Sequence, residues 1–137
     1  MAHIDAYQFE NRFATMILGG QGFPKKPLDR HILFISAALE LEPQRSYTES
    51  ELNDELRKWT TSFGDAVNLD HVTLRRFLVD EGYLQRDSAG QSYQRTTGGW
   101  PYTLDPSIET LDLDALVEEA RAARELKKQQ YKRRSGS

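Results

Sequence analysis

The chain has 137 residues, 38% apolar and 28% charged, with a net charge of −3, which is one domain's worth of foldable sequence and excludes wholesale disorder. It contains no cysteine, which excludes a disulfide scaffold, a thiol nucleophile and cysteine-based zinc or iron–sulfur sites, and fits a reducing cytoplasm. No apolar run approaches the ~20 residues of a membrane span, and Met1–Asp5 lacks the basic start and apolar stretch of a secretory signal.

Phe9, Phe13, Met16 and Ile17 recur at three- and four-residue steps and predict an amphipathic helix over 4–18, closed by Gly19-Gly20-Gln21-Gly22. Phe23-Pro24-Lys25-Lys26-Pro27 reads as an extended connector, since residues before proline avoid the helical region. A second helix is predicted over 29–41, with Ile32, Leu33, Ile35, Ala38 and Leu39 on its apolar side. The third begins sharply at Thr48, where Thr48-Glu49-Ser50-Glu51 has capping-box spacing, and turns Leu52, Leu56 and Trp59 to the core. After residues 60–68, to which no element is assigned, Asp70 caps a fourth helix that ends near Glu81 and Gly82.

Residues 83–86 and 91–95 are two short β-prone runs around an Asp-Ser-Ala-Gly turn and predict a hairpin. Trp100-Pro101-Tyr102 is an aromatic segment expected to fold back over the body, core rather than pocket, together with Trp59 and Phe63. A last helix is predicted over 107–132. It opens acidic, with six acids and no base between Asp105 and Glu119, and closes basic, with seven bases against Glu125 alone after Ala120. That polarity suits the helix macrodipole. The expected organisation is a helical extension over 1–22, a domain over 23–104, a terminal helix over 105–134 and a flexible end at 135–137.

Three helices followed directly by a hairpin is the element order of a winged helix-turn-helix, so the expected class is mainly α with a small β-hairpin. On the fourth helix, Leu74, Phe77 and Leu78 cluster on one side, and Val72, Arg75, Arg76 and Val79 fall opposite. In a helix-turn-helix that outward face enters the major groove, where the planar fork of arginine matches guanine O6 and N7. Arg75 and Arg76 are therefore candidate groove readers. His71 and Thr73 can donate to a base or phosphate, and Arg86 and Arg95 on the hairpin can touch flanking phosphates. Tyr47 and Thr48 stand at the start of the third helix, placed either for local hydrogen bonds or for phosphate. The competing reading makes Arg75 and Arg76 a solvated face paired with Asp80 or with acids of the third helix.

Tyr47-Thr48-Glu49-Ser50-Glu51-Leu52-Asn53, then Leu74-Arg75-Arg76-Phe77-Leu78-Val79-Asp80, then Arg86-Asp87 with Gly90 and Tyr93, resemble a bacterial family of uncharacterised domains. Its members share a Y-T-E-x-E-x-N block, an L-R-R-x-L-V-D block and a short R-D-x-x-G-x-x-Y hairpin. The resemblance spans residues 23–95. The family's domain often stands C-terminal to an ArsR-type winged-helix regulator, which implies transcriptional company and a winged-helix-like fold.

Enzyme readings find little support. His3, His31 and His71 have no metal-ligand spacing, no phosphate loop or nucleophile elbow occurs, and Glu49 and Glu51 point about 200° apart on a helix. No catalysis, cofactor, metal or membrane partner is expected. The terminal helix carries a stripe of Leu113, Leu116, Ala120 and Ala123 that can pack on the body or pair with a second copy or a regulator. Its basic end, Lys127, Lys128, Lys132, Arg133 and Arg134, offers attraction for phosphate. The leading expectation is a bacterial transcriptional regulator that binds double-stranded DNA. The alternative is a protein-interaction module of the same fold, using Val72, Val79, Leu113 and Leu116.

Overall fold

The structure is a computed structural model that describes residues 2–135. Its elements in chain order are β1 (Ala2–Ile4), α1 (Ala6–Gly19), α2 (Pro27–Ala38), β2 (Ser46–Thr48), α3 (Glu49–Trp59), a π turn (Thr60–Gly64) and α4 (Asp65–Val67). Then come α5 (His71–Asp80), β3 (Leu84–Arg86), β4 (Ser92–Arg95), β5 (Tyr102–Leu104), a 3-10 turn (Pro106–Thr110) and α6 (Leu113–Ser135). The architecture is α+β: mainly helical, with a small antiparallel hairpin.

Each helix start follows from a short polar side chain or a proline. Asp5 accepts from the Gln8 N–H at 2.7 Å, and Pro27 occupies the first turn of α2, where its missing N–H is no loss. Thr48 and Glu51 form the full capping box, at 3.1 and 3.0 Å. Asp70 accepts from the Thr73 N–H at 2.7 Å and starts α5.

The hairpin supplies the central strand (β4) and one edge (β3) of a three-stranded antiparallel sheet of order β2-β4-β3, in which Tyr93 lies opposite both Tyr47 and Arg86, and Arg95 opposite Leu84. A separate parallel pair joins β1 to β5, with Ile4 opposite Leu104. Phe9 and Phe13 of α1, Ile32 to Ala38 of α2, Leu52, Leu56 and Trp59 of α3, and Leu74 and Leu78 of α5 are buried together. Each such large side chain contributes roughly 1.5–3 kcal/mol by leaving water. Between α1 and α2, the Arg12 guanidinium grips the buried Asp29 carboxylate through two hydrogen bonds of 3.0 and 2.8 Å.

Several boundaries differ from the sequence expectation. Ile4 belongs to β1, not to the first helix. Residues 60–67, to which the sequence assigns no element, continue α3 through the π turn and α4, and Gly64 makes this possible. A Cβ there would lie 2.5 Å from the Leu69 carbonyl oxygen. The last helix begins at Leu113, not at Ser107: Leu111 is extended, and Asp112 starts the helix afresh by accepting from the Ala115 N–H at 3.0 Å. The aromatic segment does fold back. Trp100 packs edge-on against Tyr83 at 4.9 Å and donates from Nε1 to Thr96 Oγ1 at 2.7 Å. Of the expected flexible end, Gly136 and Ser137 lie outside the described residues.

Candidate nucleic-acid interface

α5 sits with Leu74 and Leu78 in the core and its other face turned outward. Thr73, Arg76 and Asp80 are exposed on that face, with His71 and Val72 half-exposed beside them. The hairpin lies along one flank. There Arg75, Arg76, Val79, Asp80 and Glu49 border a recess of about 300 Å³ with Arg86 and Tyr93 of the hairpin. Thus Arg75, Arg76 and Arg86, far apart in sequence, come to one place.

The two adjacent arginines differ sharply in what they touch. Arg75 is only 17% exposed; its Nη1 donates to Asn53 Oδ1 at 2.7 Å and lies 3.1 Å from Glu49 Oε1. Arg75 therefore ties α5 to α3. Arg76 is exposed and has no carboxylate within ion-pair distance among the described residues. Arg86 is likewise without an acidic partner there, and its guanidinium lies 5.9 Å from the centre of the Tyr93 ring. Gly90, at φ +69°, closes the turn against Arg86 with no side chain in the way. Asp87 shapes the same turn: the Gln91 backbone N–H at 2.7 Å, with further donors behind it, holds its carboxyl below the usual range.

Other expected contacts lie elsewhere. Arg95 is 11% exposed, donates to the Leu41 carbonyl at 3.0 Å and pairs with Glu109 at 3.3 Å. It braces the sheet against the 3-10 turn and does not line the α5 recess. Tyr47 is buried, and its hydroxyl accepts from the Glu42 N–H at 2.8 Å. Thr48 is exposed, with its oxygen engaged in the cap. On α6, Leu113 is buried and Leu116 packs against the core, as Val79 does on α5. From Arg121 to Arg134 every residue of α6 is exposed, so Lys127, Lys128, Lys132, Arg133 and Arg134 stand on a half-helix clear of the core. Arg124 reaches back to Thr15 Oγ1 of α1 at 3.0 Å.

The cations fall into two groups by partner. Arg12, Arg45, Arg57, Lys58, Arg75, Arg95 and Arg121 each face a carboxylate. Among the described residues Arg76 and Arg86 do not, and neither do Lys25, Lys26 and Arg30 of the connector and α2, for which the sequence carries no functional expectation. Their available signal was a pair of bases between two prolines. Among the described residues no group of three or more His, Asp or Glu side chains is placed to hold a metal, and no helix is long and apolar enough to cross a membrane.

The sequence pattern of an uncharacterised protein family conserved in bacteria, DUF2087, matches residues 21–95, more than half of the chain. The chain belongs to this family. The DUF2087 segment runs from the end of α1 through β4, so it contains α5, the hairpin and all the residues of the recess. No curated protein and no solved structure shows significant similarity to the chain.

Proposed function

We propose that this DUF2087 protein is a winged-helix DNA-binding protein acting in transcriptional control in the bacterial cytoplasm. The order α2, β2, α3, α5, β3, β4 and the sheet order β2-β4-β3 support a winged-helix reading, with α5 as recognition helix and the hairpin as wing. The observation that carries the function is the convergence of Arg76 and Arg86, two exposed arginines without acidic partners among the described residues, on one recess between helix and wing. Arg76, with Thr73 and His71 beside it, meets base edges. Arg86 meets the phosphates at the groove's edge. Arg75 is a positioning residue that fixes the pitch of α5 on α3.

The test is anisotropy of a labelled mixed-sequence duplex titrated with the full chain, beside Arg76→Ala/Arg86→Ala, across a salt series. Salt-sensitive binding that the double variant weakens supports the reading. No binding at low salt overturns it. The second reading, a protein-interaction module of the same fold, rests on the acidic net charge and on Leu126, an apolar side chain 57% exposed on the projecting half of α6. It gains if the chain binds no duplex and sediments as a dimer that Leu126→Glu dissociates.

A further inference from the structure

Phe23, in the connector, stacks on Phe77 of α5 with ring centres 5.1 Å apart and planes within 13°. Phe77 stacks in turn on Phe34 of α2, also at 5.1 Å. Arg30 completes the pile: its guanidinium lies 5.0 Å from the Phe23 ring centre, and its Nε donates to the Pro24 carbonyl at 2.8 Å. The connector is thus clamped to the flank of α5, with Pro24 and Pro27 restricting its backbone. On this clamped segment Lys25 and Lys26 are exposed, and neither they nor Arg30 has a carboxylate within ion-pair distance among the described residues. Acids are not scarce; the chain has 21 against 18 bases.

We infer that Lys25, Lys26 and Arg30 form a second phosphate-contacting bank for duplex DNA, on the side of α5 opposite the hairpin. The inference rests on the DNA-binding reading and extends it to residues outside α5 and the wing. Phe77 lies about 200° around the helix from Val79 and from Arg75, so the connector and the hairpin border opposite sides of the exposed face. A helix with its side chains is about 10–12 Å across, and the major groove of B-DNA is about 12 Å wide. A helix seated in that groove brings its two flanks to the two phosphate ridges. Arg86 serves one ridge and the connector the other. Arg124 brings the basic half of α6 to the same side, because Thr15, which it contacts, borders the recess shared with Lys25 and Lys26. The cations are also held in place before binding: Arg30 by its ring and carbonyl, the lysines by a connector pinned at both ends.

The test uses the full chain and a labelled mixed-sequence duplex, comparing wild type, Lys25→Gln/Lys26→Gln and Arg76→Gln/Arg86→Gln by log affinity against log salt. Two lost phosphate contacts make the slope of the lysine variant shallower by about 1.8. Its thermal midpoint should match wild type, since neither exposed lysine side chain has a hydrogen-bond or ion-pair partner among the described residues. A wild-type slope in the lysine variant overturns the second bank and leaves the α5 reading standing. Loss of slope in the lysine variant alone, with the arginine variant binding as wild type, supports the bank and overturns the α5 reading. No duplex binding by wild type overturns both.

Discussion

Arg75 of α5 donates to Asn53 of α3 across 2.7 Å, and the same Nη1 lies 3.1 Å from Glu49 one turn earlier on α3. This small cluster joins the two sequence blocks that carry the family resemblance, the one opening α3 and the one within α5. It sets the angle at which α5 presents Arg76. The block residues Thr48 and Glu51 cap α3, and Tyr47 anchors the strand before it, so these side chains act on architecture before any partner arrives.

Arg75→Ala is expected to destabilise the fold by about 1–3 kcal/mol, the range for removing a charge-assisted hydrogen bond and leaving its acceptor short. Most of this comes from the bond to Asn53, because Glu49 is more than half exposed and an exposed ion pair is worth only about 0–1 kcal/mol. Urea unfolding of Arg75→Ala, Asn53→Ala and the double variant measures it. A coupling of about 1 kcal/mol between the two sites is expected. Strict additivity would mean that the contact does not join the helices. In duplex titrations Arg75→Ala should leave the salt slope close to wild type, whereas Arg76→Ala should not.

Arg12→Met should be more costly than loss of a surface pair. Asp29 is 5% exposed and would be left without its two guanidinium donors, while Arg12 itself is about one-third exposed. The expected loss falls between the ~0–1 kcal/mol of an exposed pair and the ~3–5 kcal/mol of a fully buried one. Asp29→Asn in the Arg12→Met background should recover part of it by removing the stranded charge. If stability falls further still, Asp29 is being held by groups other than Arg12.

How much of this was legible follows the range of each interaction. α3 and α5 could be placed from Thr48, Glu51 and Asp70 because caps and three-to-four spacing are local signals. The β1–β5 pairing could not, since three-residue strands about a hundred positions apart leave no periodic trace. The stretch over 105–119 reads as one acidic helix, yet the extended Leu111 and the Asp112 cap divide it. The outward side of α5 was readable from a helical projection. Pairing of the two arginines with acids of the third helix was one of two readings, and the structure realises it for Arg75 with Glu49 but not for Arg76. Which arginine turns, and the bond to Asn53, depend on how the two helices cross. The Arg95 contacts with Leu41 and Glu109 are equally non-local.

His31 supplies a pH prediction. Burial pushes its imidazole below the ordinary value of 6.5, and Glu81, 3.7 Å from Nε2, pulls it partly back. Its other nitrogen shares a 2.7 Å hydrogen bond with Tyr83, whose hydroxyl burial keeps protonated. A folded value below the unfolded one means that the unfolded chain binds the proton first as pH falls. The stability contributed is therefore complete above 6.5 and is lost as pH drops through the folded value. An NMR titration of the ring should give a midpoint under 6.5, and Glu81→Gln should lower it further. A midpoint unmoved by Glu81→Gln would show that the carboxylate does not act on the ring.

Gly64→Ala tests the π turn, where two effects of opposite sign compete. Gly64 has ordinary helical angles, φ −61° and ψ −40°, so on propensity alone alanine would stabilise by about 1 kcal/mol. Its Cβ, however, would meet the Leu69 carbonyl oxygen at 2.5 Å and Thr60 Cβ at 3.0 Å. The Leu69 oxygen is backbone and cannot swing aside. The Leu69 N–H, which donates to the Gly64 carbonyl at 3.0 Å, would have to move with it. Overpacking of this kind costs about 1–3 kcal/mol, enough to reverse the propensity gain. Gly19→Ala, whose Cβ meets nothing nearer than 3.8 Å, is the control and should be neutral or stabilising. A lower thermal midpoint for Gly64→Ala but not for Gly19→Ala is the expected result. A Gly64→Ala variant more stable than wild type would mean that Leu69 does not close over the turn, and that the segment between α3 and α5 is looser than this geometry requires.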